Sequence, residues 1–498
     1  MSRIKDIITL CKAGQLTEAY ERAQTDLQAT PSDVWTQREV GWALYYMLKA
    51  DAHPCDKQAF FAHLEEFAKL DALTTQDKLL FESILWVMGN FIRQLPKNQF
   101  EDIQRLFSLL GSYTFTPSKA YSSLLKVFLG FKQWNGLAAF IEWWNLDNLQ
   151  PEDYQPFQTA QGNSIMSLAE QAYIAYSRAL LMMNDKNKIS QFIPKLEELI
   201  ENHPDMTYPG YFCGKLMLSM GAAQEEALQM VIPFARKKQK DFWVWQLLGD
   251  VYKNEPDTQL ACYLRATHCK AKEDFLGKVR LKLVSIYYSR KDYNRAKFQL
   301  DTFITKYKQN GWNIPAEAWP YAQDPLIQNA VADQSDGINY KQITRPILYL
   351  DAYESLAVAA YVNAAQKYGI IVYGERMLAK VKLYQLHQPI QEGQLIKLHW
   401  LPSKAMDGNI TILGAETVDS ADFSDNSYLK KIEGKIEKQA YNPFAFIKGK
   451  GIRCFISPSL VNKYQLAGNE KVSALALLNY NKKKAEWAWS CVSLEIKE

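Results

Sequence analysis

Phe444, Phe446 and Phe455 stand in the segment FAFIKGKGIRCFISPSL (444–460), where two short β-like runs flank a turn of Gly and Lys. Alternate residues of a strand share one face, so this spacing predicts three rings gathered on one surface. The chemistry open to such a surface is stacking. Every nucleobase has a π face, and a base resting on an aromatic ring is worth about 1–3 kcal/mol whatever its identity. Lys448, Lys450 and Arg453 fall in or beside the turn, and Lys438 and Tyr441 precede it, which sets cations for phosphates next to rings for bases. The competing reading is that the rings are interior packing, since aromatic side chains are more often inside than out.

The two runs resemble the nucleic-acid face of cold-shock domains, in which a strand of the form GFGFI is followed, after a short polar loop, by one of the form VFVHxSAL. Phe444, Phe446 and Phe455 match the three ring positions, and Ser459 and Leu460 match the end of the second strand. The resemblance extends from about Lys430 to Glu498. It implies an OB-type barrel that holds single-stranded RNA or DNA, with RNA favoured. Where the family carries GKVKWFN, this chain reads KIEGKIEKQAYNP, so Lys438 and Gln439 stand where the stacking Trp would be. Ser457 replaces the family's histidine, and Pro458 the aromatic that follows it. The resemblance therefore implies a stacking platform with weakened sequence readout, with Lys438 and Ser457 among its binding positions. Tyr441, Trp487 and Trp489 offer further rings.

Charge is concentrated on the same module. Residues 430–498 hold thirteen Lys and Arg against six Asp and Glu, a net +7, whereas the chain totals +4 and residues 1–429 therefore carry −3. A local basic excess is what phosphate binding and counterion release require. Lys482, Lys483 and Lys484 fall in a predicted final hairpin.

An internal repeat precedes this module. AAYVNAAQKYGII (359–371) aligns with KIEKQAYNPFAFI (435–447) at an offset of 76, RMLAKVKL with RCFISPSL at 77, and Gly393 with Gly468 at 75. A nearly constant offset across β-like segments separated by turn residues predicts tandem barrels. In the first copy Tyr368, Ile370 and Leu378 occupy the positions of Phe444, Phe446 and Phe455. Residues 354–429 carry six basic and eight acidic side chains, which predicts a structural or protein-facing module. A helix over 357–366 is the alternative, because AVAAYVNAAQ is ambiguous by period.

Residues 1–318 read as helix throughout, with apolar residues at three- and four-residue spacing. In FWVWQLLGDVYKNEPDTQLACYLRA, the positions Trp245, Leu248, Gly249, Tyr252 and Ala261 fit the tetratricopeptide pattern. Leu283, Tyr287, Ala296, Leu300 and Phe303 fit a further unit, and Gly214 lies 35 residues before Gly249. At the N-terminus Gly14, Ala19, Ala23 and Pro31 punctuate one more. Small residues at helix crossings let backbones approach, and pairs of about 34 residues stack into a solenoid. The resemblance implies a surface for a protein partner. Between Asp51 and Gln161 the pattern degenerates, and IEWWNLDNL is expected to be core.

The remaining composition narrows the function. Hydrophobic residues make up 48% and charged residues 22% of 498 positions, a globular balance. No apolar run approaches the ~20 residues of a membrane span, and MSRIKDIITLCKAG lacks a leader's apolar stretch. Seven scattered cysteines without a CxxC pair fit a reducing cytoplasm. Cys262, His268 and Cys269 come closest to a metal cluster and are expected to be packing or surface residues. No phosphate loop, nucleophile elbow or zinc-protease motif occurs, so no catalytic residue, cofactor or metal is expected.

The expected fold class is multidomain: an all-α tetratricopeptide-like solenoid (1–318), a linker (319–353), a degenerate OB-like barrel (354–420), a short linker (421–429) and a cold-shock-like OB barrel (430–498). The expected function is a non-enzymatic cytoplasmic adaptor, holding single-stranded nucleic acid on the last barrel and a protein on the helices, with no membrane contact. The alternative is a purely protein-binding scaffold with structural barrels.

Overall fold

Apolar residues at helical spacing fold the first two-thirds of the chain into successive helices, from Ser2–Lys12 to Tyr293–Gln309. A two-residue hairpin interrupts them, β1 (Phe157–Gln158) pairing with β2 (Ser164–Ile165). The computed structural model describes residues 2–73, 77–111, 113–159, 161–403, 410–418, 423–449, 451–481 and 485–497. They form two compact units, 1–336 and 337–498.

In the helical unit neighbouring helices pack as hairpins, for example Phe242–Val251 against Pro256–Thr267 and Gly277–Ser289 against Tyr293–Gln309. The residues expected at the crossings are inside: Trp245, Leu248, Tyr252, Ala261, Leu283, Tyr287, Ala296, Leu300 and Phe303 are all buried. Gly249 is required there. A Cβ at this position would lie 2.5 Å from a ring carbon of Tyr263, whose hydroxyl donates to Asp250 at 2.7 Å. Upstream, where the repeat pattern degenerates, stacked aromatics fill the core: Phe60 on Phe91 at 3.9 Å, Phe128 on Phe140 at 4.0 Å, and Trp144 on Tyr121 at 4.7 Å. Of the Trp-rich segment, Ile141, Trp144 and Leu146 are buried and Trp143 packs half-buried against the same core. Cys262 is buried, Cys269 half-buried, and the His268 ring meets the Asp336 carboxylate at 2.9 Å. Among the described residues no group of His, Cys, Asp and Glu is arranged to hold a metal. No described helix is long and apolar enough to cross a membrane.

Residues 319–353 are more ordered than a linker. Short helices occupy Trp319–Ala322, Pro325–Gln328 and Tyr340–Thr344, and a 3₁₀ turn spans Pro346–Tyr349. The backbone near 331–335 is tied to the last long helix. Val331 N–H donates to Asn294 Oδ1 at 3.1 Å, and the Arg295 guanidinium donates to the Ser335 carbonyl at 2.9 Å. In the second unit Ile347, Leu348 and Tyr349 are buried.

The second unit is two β modules built to one plan. The first comprises β3 (Tyr353–Asn363), β4 (Tyr368–Gly374), β5 (Met377–Lys382), β6 (Leu395–Pro402) and β7 (Ile410–Thr417), in the order β5-β4-β3-β6-β7. The second comprises β8 (Leu429–Glu437), β9 (Ala445–Gly449), β10 (Ile452–Ile456), β11 (Lys471–Asn481) and β12 (Glu486–Ile496). It closes into a barrel, β10-β12-β11-β8-β9. Pairing order is shared; closure is not. The second barrel closes through parallel pairing of Phe455 with Ser490, whereas no pairing joins β5 to β7 among the described residues. There β7 packs on the 3₁₀ turn Leu383–Leu386 that follows β5, and the described residues of the expected barrel at 354–420 form a five-stranded sheet without closure. Residues 357–363 belong to β3, not to a helix. Gly393 and Gly468, paired by the repeat, both have positive φ, +84° and +112°. The modules share a core in which Val358, Val372 and Leu395 meet Leu429, Leu475 and Leu477.

Candidate nucleic-acid interface

Strand alternation sorts the β9–β10 hairpin into two faces. Ala445, Ile447, Cys454 and Ile456 point into the barrel core. Phe446, Lys448, Arg453 and Phe455 take the other face, with Phe446 paired across to Phe455 and Lys448 to Arg453. The hairpin sits tightly on β8. Gly434 lies opposite Gly449, and a Cβ at Gly434 would fall 2.4 Å from the Lys448 carbonyl oxygen. Glycine at such a strand corner permits the close backbone approach.

The three phenylalanines meet on that outer face. Ring centroids of Phe444 and Phe446 are 5.8 Å apart at 86°, of Phe446 and Phe455 5.8 Å at 66°, and of Phe444 and Phe455 5.6 Å at 43°. All three are half-buried, so the cluster is a surface feature supported from below and not part of the core. The guanidinium carbon of Arg453 lies 4.1 Å from the Phe446 centroid. A planar cation layered on a ring offers an incoming base both stacking and charge. Lys448 is exposed and approaches the Glu437 carboxylate at 3.4 Å. That exposed pair is weak, and a phosphate can compete for the ammonium.

The other expected residues divide. Tyr441 is 98% exposed, in the turn before β9. Lys438 donates its ammonium to the Leu466 carbonyl at 2.8 Å, which turns it to holding the loop ahead of β11. Ser457 caps the short helix Pro458–Lys463, its Oγ accepting from the Leu460 N–H at 3.4 Å and lying 2.7 Å from Ser459 Oγ. The hydroxyl is committed to helix capping, a use that its place before Pro458 fits. Lys450 lies outside the described residues, as do Lys482, Lys483 and Lys484. Trp489 packs partly against the barrel core with Lys430 5.3 Å above its ring, and Trp487 faces Arg376. Lys435 is a residue that motif comparison does not single out. It is exposed and sits directly across from Lys448; the alternation of Lys431, Glu433, Lys435 and Glu437 about the inward Ile432 and Ile436 is the signal that marks it.

The barrel's two cysteines play no part on this face. Both are buried, and burial pushes the Cys491 thiol up to about 12 and Cys454 higher still. Thiolate chemistry is suppressed at both.

Residues 430–494 match the family described as S1/CSD-like domain 2 of the TOTE conflict systems. The C-terminal region thus carries an S1/cold-shock-like domain, and the closed five-stranded barrel is its fold. Residues 207–346 match a domain of unknown function (DUF7017). Neither match reaches half of the chain, and no curated protein matches the sequence.

Proposed function

We propose that this chain is a non-enzymatic cytoplasmic adaptor that holds single-stranded nucleic acid, RNA in preference to DNA, on the outer face of β9 and β10. Its helices then act as a tetratricopeptide-like solenoid that docks a protein partner. The observation that carries the reading is the cluster of Phe444, Phe446 and Phe455 outside the barrel core, with Arg453 layered on it. A ring cluster with adjacent cations suits unpaired bases of any identity. For the helical unit the support is the buried crossing residues and the fit to the repeat pattern.

Mobility shift with an unpaired oligouridine at stated salt tests the assignment. Residues 337–498 are expected to bind as the full chain does, and residues 1–336 weakly at best. The shorter piece 425–498 is unsuitable, because it would uncover Leu429, Leu475 and Leu477. Equal affinity of the two units would defeat the reading.

A second expected result concerns charge alone. Lys448→Gln should weaken binding to all sequences alike and lower the slope of log affinity against log salt by about 0.7, one phosphate contact on a single strand. Its melting temperature should not move, since the side chain is exposed. An unchanged salt slope would remove Lys448 from the interface.

A further inference from the structure

We propose that the outer face of β4 and β5 is a second surface for single-stranded nucleic acid, held in fixed relation to the face on β9 and β10, so that one strand reaches both modules. The inference rests on the reading of the barrel given above.

The charge of the first module, averaged over 354–429, hides a strong local asymmetry. Residues 367–382 contain Lys367, Arg376, Lys380 and Lys382 against Glu375 alone, a net +3. Glu354 and Glu416 lie instead on β3 and β7, where their carboxylates flank the buried His399 at 3.4 and 3.3 Å. In the register of β4 and β5, Tyr368 pairs with Lys382, Ile370 with Lys380, and Val372 with Leu378. Ile371 and Val381 fill the core of the module. The opposite face therefore presents Tyr368, Lys380 and Leu378, the last 58% exposed. Tyr361 on β3, paired with Ile370 of β4, joins them. Its ring is 5.9 Å from that of Tyr368, and the Lys380 ammonium lies 4.5 Å from the Tyr368 centroid. Paired rings under a cation repeat the chemistry of the Phe444 cluster, with tyrosine in place of phenylalanine.

Two observations connect the faces. Phe455 is paired with Ser490 on β12, and Ser490 in turn with Leu477 on β11, a residue of the core that the two modules share. The guanidinium of Arg376, in the turn between β4 and β5, stands 5.5 Å from the Trp487 ring centroid. The Phe455 face and the β4–β5 turn thus both border the seam between the modules, although Trp487 itself takes the face of β12 opposite to Ser490. The modules are held in this relation by their shared core, by the Tyr428 hydroxyl donating to the Leu356 carbonyl, and by Gly393, where a Cβ would lie 2.4 Å from the Val492 carbonyl oxygen.

The test uses the full chain and labelled oligouridines of about 5 and about 12 nucleotides, one-module and two-module lengths for folds of this kind. The longer probe is expected to bind about tenfold tighter or more. Tyr368→Ala and the exposed Lys380→Glu should each remove most of that advantage while leaving the shorter probe's affinity unchanged. An advantage that survives both substitutions comes only from extra binding frames and overturns the proposal, as does a loss shared equally by the two lengths. If the short probe binds and the long one is no tighter, this inference fails and the reading of the barrel stands. If neither probe binds, both fail.

Discussion

Replacing Phe446 with alanine is expected to weaken binding of the full chain to an unpaired oligonucleotide by about 1–3 kcal/mol, roughly five- to 150-fold, with little change in melting temperature. The ring is half-buried on the outer face, and its contacts there are with Phe444, Phe455 and Arg453. Losing edge contacts of that kind costs about 0.5–1.5 kcal/mol of stability. No phosphate contact is lost, so the salt slope should hold. The next residue supplies the contrast. Ile447 is 0% exposed in the barrel core, and Ile447→Ala should destabilise the fold by about 2–5 kcal/mol. One step along a strand exchanges a binding defect for a folding defect. If Phe446→Ala lowers the melting temperature as far as Ile447→Ala does, the ring is packing and the proposed surface loses its centre.

What the sequence disclosed about this site follows from the physics of strands. Period-two alternation is local, so the outward placement of Phe446 and Phe455 was legible from spacing alone, as was the pairing order of two modules related by a constant offset. Commitments made by distant partners were not. Nor was one local commitment: Ser457 reads as a binding position, and its capture by the Leu460 N–H follows only once Pro458–Lys463 is helical. Lys438 reads as a phosphate contact until the loop brings the Leu466 carbonyl within 2.8 Å. Among the described residues of 354–420 the sheet stays open and the 3₁₀ turn at Leu383–Leu386 packs on β7, a contact between segments some thirty residues apart in sequence. The order at 331–335 has a related cause: Asn294 and Arg295 hold Val331 and Ser335 from a helix some forty residues upstream, not through any period of the segment itself. Summed charge carries no such placement, because Lys380 and Glu354 enter one total although they belong to different strands.

The helical unit offers the sharpest test of close crossing. Trp245→Ala is expected to destabilise it by about 3–5 kcal/mol. The ring is 0% exposed, its Nε1–H donates to the Gln239 carbonyl at 2.7 Å, and the Arg265 guanidinium lies 3.8 Å from its centroid. Truncation would leave a cavity, a carbonyl without its donor and a guanidinium without its platform. A large loss would follow at almost any buried tryptophan, however, so the sign at Gly249 is more telling. In an exposed helix interior, glycine to alanine stabilises by about 1 kcal/mol. Here the added methyl would lie 2.5 Å from the Tyr263 ring, and moving that ring breaks its bond to Asp250. Gly249→Ala should therefore destabilise by about 1–3 kcal/mol, read from denaturant unfolding followed by helical circular dichroism. A gain in stability would mean that the helices Phe242–Val251 and Pro256–Thr267 do not cross in close contact at Gly249, and the repeat assignment would lose the position that most distinguishes it.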